Sequence, residues 1–280
     1  MNARLDGYLA RIGFAGTPRV DADTLVAVHR AHLRAIPYEN LDVQLGRPVG
    51  LEVDGIFTKL VVGRRGGWCY EMNGLLGWAL EAMGFPVTRL SAGVMRAERG
   101  DAALGNHLAL WVHLDEPWLA DVGFGDGTLE PVPVRAGRFR QGALEFALEA
   151  LPQGWWRLHN HPHGAAASFD FRLAPADTGL LTSQCQFLQT SLESPFTRVA
   201  VVQRHVDGGL ALLRGRVLKL VRAGRAGTVE VTRREVADQR EYLGVLRDWF
   251  DLTPPDPDRL WARVAAQHAA YLAELTGRPH

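Results

Sequence analysis

In the run Arg64-Arg65-Gly66-Gly67-Trp68-Cys69-Tyr70-Glu71-Met72-Asn73, a cysteine follows two glycines and heads a stretch that reads as a helix. The glycines permit a tight backbone turn. A thiol in the first helical turn lies among unpaired N–H groups at the positive end of the helix dipole. Such a setting favours thiolate over thiol, lowering a cysteine pKa from about 8.5 toward neutrality, and makes Cys69 a candidate nucleophile. The other cysteine, Cys185, lies in Thr182-Ser183-Gln184-Cys185-Gln186-Phe187 without such surroundings and reads as a packing residue.

A thiolate nucleophile works with a base, and the base with a group that orients it. Among the ten histidines, His107 opens a strand after Gly105-Asn106. Asp121 closes the next strand, Trp118-Leu119-Ala120-Asp121, directly before the turn Val122-Gly123-Phe124-Gly125. Neighbouring strand ends bring imidazole and carboxylate together, Asp121 accepting from one ring nitrogen and the other facing Cys69. Spacing alone leaves alternatives open: His113 shares a strand face with His107, and Asp115 and Asp126 are near Asp121.

The elements that must hold these groups follow from periodicity. Leu5, Tyr8, Leu9 and Ile12 recur at helical spacing before Gly13, as do Leu25, Val28, His32 and Ile36 after a capping stretch at 21–24, with Pro37 as the stop. A third helix is expected over 54–62 and a fourth from Cys69, with an apolar stripe through Met72, Leu75, Leu76, Ala79 and Met83 and a glycine cap at Gly84. From Pro86 the period changes to two, with strands over 106–114, 144–150 and 155–158 that read as an antiparallel sheet or small barrel. Strands over 210–213, 217–221 and 228–231 and helices over 236–250 and 257–275 follow, the two helices separated by Pro254, Pro255 and Pro257.

Composition narrows the class. The 280 residues are 47% hydrophobic and 22% charged, an ordinary globular balance that excludes a disordered, collagenous or coiled-coil architecture. Thirty-one basic residues balance thirty-one acidic ones, so no net field draws the chain to nucleic acid or an anionic membrane, and the expected partner is a small molecule or another protein. No apolar run is long enough to span a bilayer, and Arg4 and Asp6 interrupt any signal-peptide core. With two cysteines and no disulfide framework, the expected compartment is the cytoplasm.

Taken together, Arg65 to Cys69 with Glu71 and Asn73, Ile36-Pro37-Tyr38-Glu39-Asn40-Leu41, Asn106-His107, Asp121 to Gly125, and Ser194-Pro195-Phe196-Thr197 resemble the arylamine N-acetyltransferases, in order and over most of the chain. The resemblance implies an α+β fold: a helical bundle over 1–85 carrying the cysteine, a β-barrel over 86–195 carrying histidine and aspartate, and an α/β lid over 196–280. The first two are arranged as in papain-type and transglutaminase-type thiol enzymes. It implies Cys69, His107 and Asp121 as a catalytic triad, acetyl-CoA as co-substrate, an arylamine or hydrazine as acceptor, and no metal. Tyr38, where the family often has phenylalanine, and Phe124 would line the acceptor pocket. The Gly123 to Gly125 backbone would border the coenzyme path, and Glu39 and Arg65 would brace the cysteine loop. A ping-pong cycle through acetyl-Cys69 follows, its oxyanion held by the Cys69 N–H and one further donor.

Rival readings use the same residues. An amide synthase, or a thiol hydrolase or transglutaminase-like enzyme, needs the same triad, and a redox sensor needs only a reactive Cys69. Arg204, Arg214, Arg216, Lys219, Arg222, Arg225, Arg233 and Arg234 against Asp207 and Glu230 form a local basic surplus. It reads either as solvated strand faces or as contacts for CoA phosphates. His159-Asn160-His161-Pro162-His163 has the spacing of a zinc cluster but reads better as a polar hairpin loop, because Pro162 breaks the strand alternation and no carboxylate or cysteine is close in sequence.

Overall fold

In the computed structural model, which describes residues 3–276, the helical signals of the first third become helices α1 (Ala3–Ile12) and α2 (Ala22–Ala35), strand β1 (Tyr38–Glu39), the single turns α3 (Leu41–Gln44) and α4 (Val53–Phe57), and α5 (Cys69–Ala82). Asp21 caps α2 by accepting the Thr24 N–H at 2.8 Å. The expected third helix is α4 continued by a π-helical turn, Thr58–Val62. At the end of α5, Gly84 takes φ +97°, and the Phe85 and Gly84 N–H groups return to the Leu80 and Glu81 carbonyls, a Schellman closure.

Eight antiparallel strands follow: β2 (Val87–Val94), β3 (His107–His113), β4 (Pro117–Ala120), β5 (Val132–Pro133), β6 (Gly137–Gln141), β7 (Leu144–Ala150), β8 (Trp155–His159) and β9 (Ser168–Arg172), with the turn α6 (Arg96–Arg99) between β2 and β3. They form one sheet in the order β5-β4-β3-β2-β9-β8-β7-β6. Its two edge strands, β5 and β6, are joined by only residues 134–136. Those four Cα steps reach at most about 15 Å, whereas the edges of a flat eight-stranded sheet lie about 34 Å apart. The sheet is therefore curled on itself, and its interior is filled by Leu90, Ala109, Leu148, Leu158, Phe169 and Phe171.

Helices α7 (Thr178–Thr190) and α8 (Pro195–Arg198) lead to β10 (Val201–Val206), β11 (Gly209–Arg214), β12 (Val217–Ala223) and β13 (Val229–Glu235), then α9 (Gln239–Phe250) and α10 (Pro257–Thr276). The second sheet runs β1-β10-β11-β12-β13, so its edge strand comes from the N-terminal third. Asn40 secures that junction: its Nδ2 donates to the Phe196 and Val199 carbonyls at 2.9 Å each, and its Oδ1 accepts the Val201 N–H at 2.8 Å. The motifs at 36–41 and 194–197 are thus two sides of one seam. The fold class is α+β, with helices, a curled antiparallel sheet and a mixed C-terminal layer.

Some expectations shift. The helix expected from 236 begins at Gln239, because Val236 is buried beyond the end of β13. Arg216 is not on an outward strand face: it lies in the β11–β12 turn, half-buried, donating to the Val236 and Ala237 carbonyls at 2.9 Å. Helix α7 and strands β2, β9 and β10 escaped the pattern reading altogether.

Strand β3 is the common wall of two cores. Leu110 and Val112 pack with Leu75, Leu76 and Ala79 of α5, while Ala109 faces the sheet interior. Truncating fully buried Leu110 to alanine removes side-chain contacts on the α5 side. Leu110→Ala is expected to cost about 2–5 kcal/mol, read as a lower urea midpoint at unchanged m-value.

Candidate active site

Cys69 is the first residue of α5, and Asn73, four residues on, projects from the same helix face. That amide gathers the other strand ends. Its Nδ2 donates to Asp121 Oδ1 at 2.7 Å and to the Leu108 carbonyl at 2.6 Å, and its Oδ1 accepts the Val122 N–H at 2.9 Å. His107, at the start of β3, directs Nε2 to Asp121 Oδ2 at 2.7 Å, leaving Nδ1 for the Cys69 side chain, which also hydrogen-bonds the ring. The Cys69 Sγ lies 3.8 Å from the Asn106 carbonyl oxygen. Asn106 in turn completes a strand-like pair with Val94 through its side chain, fixing where β3 begins.

Both members of the His107–Asp121 pair are buried, and their charges stabilise each other. Burial opposes a charged imidazole, but the Asp121 carboxylate and the Cys69 side chain outweigh it and push His107 up to about 10. Burial likewise opposes the Asp121 carboxylate. The charge and hydrogen bond of His107, the Asn73 amide and the Gly123 N–H prevail and hold it below its usual range. His29, which no motif singled out, accepts the Asp121 N–H at Nε2 (3.1 Å) and donates from Nδ1 to the Leu129 carbonyl (2.9 Å). Burial lowers it to about 4, so it braces the Asp121 backbone as a neutral ring.

The alternatives left open by spacing separate in space. His113 stacks on Trp111 and shares a 2.8 Å hydrogen bond with Thr88, at the far end of β3 from His107. Asp115 is exposed. Asp126 is buried, but it accepts the Ala165 N–H at 2.6 Å and the Asn160 amide at 3.2 Å, so it ties down the 160–167 loop.

Phe124 stands edge-on to His107 at 5.7 Å and to Phe169 at 4.9 Å. Tyr38 shares a packing cluster with Trp68 and Cys69. A Cβ at Gly123 would come within 2.7 Å of the Cys69 Cα, so only glycine allows the turn to lie against Cys69. Gly125, at φ +78°, is similarly pressed on the Gln203 side chain. Arg65 pairs with Glu39 at 2.8 Å, and the Glu39 N–H donates to the Gly67 carbonyl at 2.9 Å, which clamps the loop before Cys69.

Cys185 is buried on α7 in the same cluster as Cys69, its thiol 3.8 Å from the Val49 carbonyl, and burial pushes it up to about 12. The three loop histidines do not converge: His159 turns to Glu149 at 2.7 Å, whereas buried His161 meets the Asp126 carbonyl at 2.9 Å. Among the described residues no group of three or more histidine, cysteine, aspartate or glutamate side chains is placed to hold a metal. Of the basic surplus, Arg204, Arg216, Lys219 and Arg234 bond within the protein, while Arg214 and Arg222 are exposed. Cavities of about 260 and 200 Å³ lie elsewhere on the surface, and Cys69 itself is 3% exposed.

Comparison with known proteins places this geometry. A sequence profile described as N-acetyltransferase matches residues 21–256. An arylamine N-acetyltransferase of Mycolicibacterium smegmatis is 40% identical over 235 residues, 79% of this chain and 83% of that protein. The chain belongs to the arylamine N-acetyltransferase family. The solved M. smegmatis arylamine N-acetyltransferase superposes with a TM-score of 0.83 at 35% identity, covering 94% of this chain and 97% of the other. The Mycobacterium marinum arylamine N-acetyltransferase, solved in complex with CoA, gives 0.82 at 30% identity, covering 93% and 98%. Membership makes the chain an enzyme, an acyltransferase, and sets aside the redox-sensor reading.

The His107–Asp121 pair has a direct signature. Ring ¹⁵N shifts should show His107 doubly protonated at pH 7.5 and titrating near 10, and Asp121→Asn, which removes the largest group opposing burial while Cys69 remains, should lower that titration clearly. Because the folded His107 value is raised above 6.5, its stabilising contribution is complete just below pH 6.5 and fades as pH rises through about 10. Because Asp121 is held below its usual range, the pair is lost at the acid end only when that carboxylate protonates.

Proposed function

We propose that this chain transfers the acetyl group of acetyl-CoA to an arylamine or hydrazine in a ping-pong cycle through acetyl-Cys69, with His107 and Asp121 completing the triad. The observation that carries the reading is the buried relay from Cys69 through His107 to Asp121, built on the helix start and strand ends that the family motifs occupy.

In the first half-reaction the Cys69 sulfur attacks the thioester carbonyl, the bond to the CoA sulfur breaks, and the His107 imidazolium delivers its Nδ1 proton to the departing thiolate. One thioester replaces another, so the step is close to balanced in free energy. The near-complete burial of Cys69 keeps water from the intermediate. In the second half a neutral amine attacks acetyl-Cys69, the carbon–sulfur bond breaks, and His107, now neutral, takes the proton released as the C–N bond forms. The thiolate–imidazolium pair is regenerated and the proton count closes. Asp121 holds the ring in one orientation and stabilises it when charged. The N–H of Cys69, at a helix start, supplies one donor to the oxyanion.

Tyr38 and Phe124 line the acceptor side in this reading, and the backbone from Gly123 to Gly125 borders the coenzyme path. The M. marinum relative in complex with CoA supports CoA as the acyl carrier, and Arg214, Arg225 and Arg233 are exposed members of the basic surplus that could meet its phosphates, whereas Arg222 lies over the Trp249 ring. The working division is residues 1–85, 86–195 and 196–280, with 1–2 and 277–280 outside the described residues. No helix of the described residues is long and apolar enough to cross a membrane; we assign the chain to the cytoplasm on its two free thiols.

Steady-state CoA release with an arylamine should give parallel double-reciprocal lines, vanish in Cys69→Ala, and fall about 10²–10⁴-fold in His107→Ala. Intersecting lines, or an active Cys69→Ala enzyme, would reject the covalent route.

A further inference from the structure

Beneath the Cys69 turn lies a charge cluster that the triad does not use, with two members, Lys59 and Asp42, that no motif predicted. Lys59, on the π-helical turn, directs Nζ to Asp42 Oδ2 at 2.8 Å and to both Glu71 oxygens at 2.8 and 3.0 Å. These three contacts use its three donor directions. Its own carbonyl accepts the Arg65 N–H at 3.1 Å, so the residue grips the cysteine loop from both ends. Glu71, the third residue of α5, folds back so that Oε2 accepts the N–H of Trp68, the residue before Cys69, at 3.2 Å. The Glu71 side chain is 4% exposed and that of Lys59 16%.

We propose that Lys59 is a positioning residue for the nucleophile: its ammonium, bonded to both Glu71 oxygens, holds the Glu71 carboxylate aimed at the Trp68 N–H, which fixes the turn that presents the Cys69 thiol. The inference rests on Cys69 as the nucleophile of the proposed cycle. Charge balance explains why the lysine is needed. Three carboxylates, Glu39, Asp42 and Glu71, face two cations, Lys59 and Arg65, and Arg65 bonds to Glu39 and Asp42. Glu71 has Lys59 as its ion-pair partner, while Glu39 and Asp42 repel its charge. Burial raises Glu71 to about 7 even with Lys59 opposing it, so without the ammonium the carboxyl is neutral at working pH. A neutral carboxyl offers Trp68 a weaker acceptor than a carboxylate does, and with the lysine gone its added proton can turn toward the Asp42 carboxylate that Lys59 had bridged, away from the Trp68 N–H.

The test measures the rate of Cys69 alkylation by iodoacetamide and of acetylation by acetyl-CoA between pH 6 and 9, located by peptide mass, in Lys59→Met, Lys59→Arg and the double variant Lys59→Met/Glu71→Gln. Relative to wild type at the same pH, Lys59→Met should be about tenfold slower near pH 7 and should recover as pH rises and Glu71 ionises. Lys59→Arg should stay within about threefold, because it restores the cation. In the double variant the neutral amide accepts the Trp68 N–H without a counter-charge, so the pH-dependent deficit should disappear even if Lys59→Met alone folds poorly. A Lys59→Met profile parallel to wild type, or a pH-independent loss that Glu71→Gln leaves in place, would overturn the proposal. Wild-type protein that is alkylated normally but never acetylated by acetyl-CoA would instead count against the acetyl-transfer reading, leaving the Lys59 comparison readable by alkylation.

Discussion

A carboxylate with almost no access to water is the constraint around which the centre is built. Isolated in the interior, the Asp121 charge would cost several kcal/mol. It is kept because three donors converge on it from three elements: His107 Nε2 from β3, Asn73 Nδ2 from α5 and the Gly123 N–H from its own turn. Satisfying the charge and bringing His107 and Asn73 together at the Cys69 turn are therefore the same event. Each donor also has a second duty. Histidine meets the thiol, asparagine ties the helix to both strand ends, and Gly123 lies against the Cys69 backbone.

The rest of the fold keeps those three elements in register. Strand β3 is apolar on both faces, so α5 and the curled sheet bind it from opposite sides. A slip of one residue would exchange the two faces and turn His107 away from Asp121. The C-terminal layer reaches the same centre through Asn40, which joins the segment after Tyr38 to the chain entering β10, and through Gln203, whose Nε2 lies 3.3 Å from Asp126. These long-range polar contacts add to an apolar one, since Phe196 and Val201 pack with Tyr38, Trp68 and Cys69 and the Phe196 ring stands edge-on to Trp68.

Local signals were legible in the sequence: the glycine turn before Cys69, the Schellman glycine at 84, the proline that ends α2, and the histidine and aspartate at strand ends. What escaped depends on contacts distant in the chain. Strand β1 is two residues long and exists because Tyr38 and Glu39 pair with Gln203 and Val202. Helix α7 buries only Leu181, Cys185 and Leu188 in a run rich in threonine, serine and glutamine, too narrow a stripe for periodicity to detect. His29 and Lys59 look like ordinary helix-surface residues until the partners that bury them, 92 and 12 residues away, are in place. The 160–167 loop reads as polar and hairpin-like, but the inward turn of His161 and Asn160 toward Asp126 follows from tertiary packing alone.

The most direct measurement is isolation of the intermediate. Protein incubated with acetyl-CoA alone should release one equivalent of CoA and gain about 42 Da at Cys69. After removal of all CoA by gel filtration, addition of an arylamine should yield one equivalent of N-acetylarylamine and return the protein to its original mass. An acetylated protein that keeps its label in the presence of amine while the CoA-supplied enzyme still turns over, or product formation only when acetyl-CoA and amine are present together, would contradict a cycle through acetyl-Cys69.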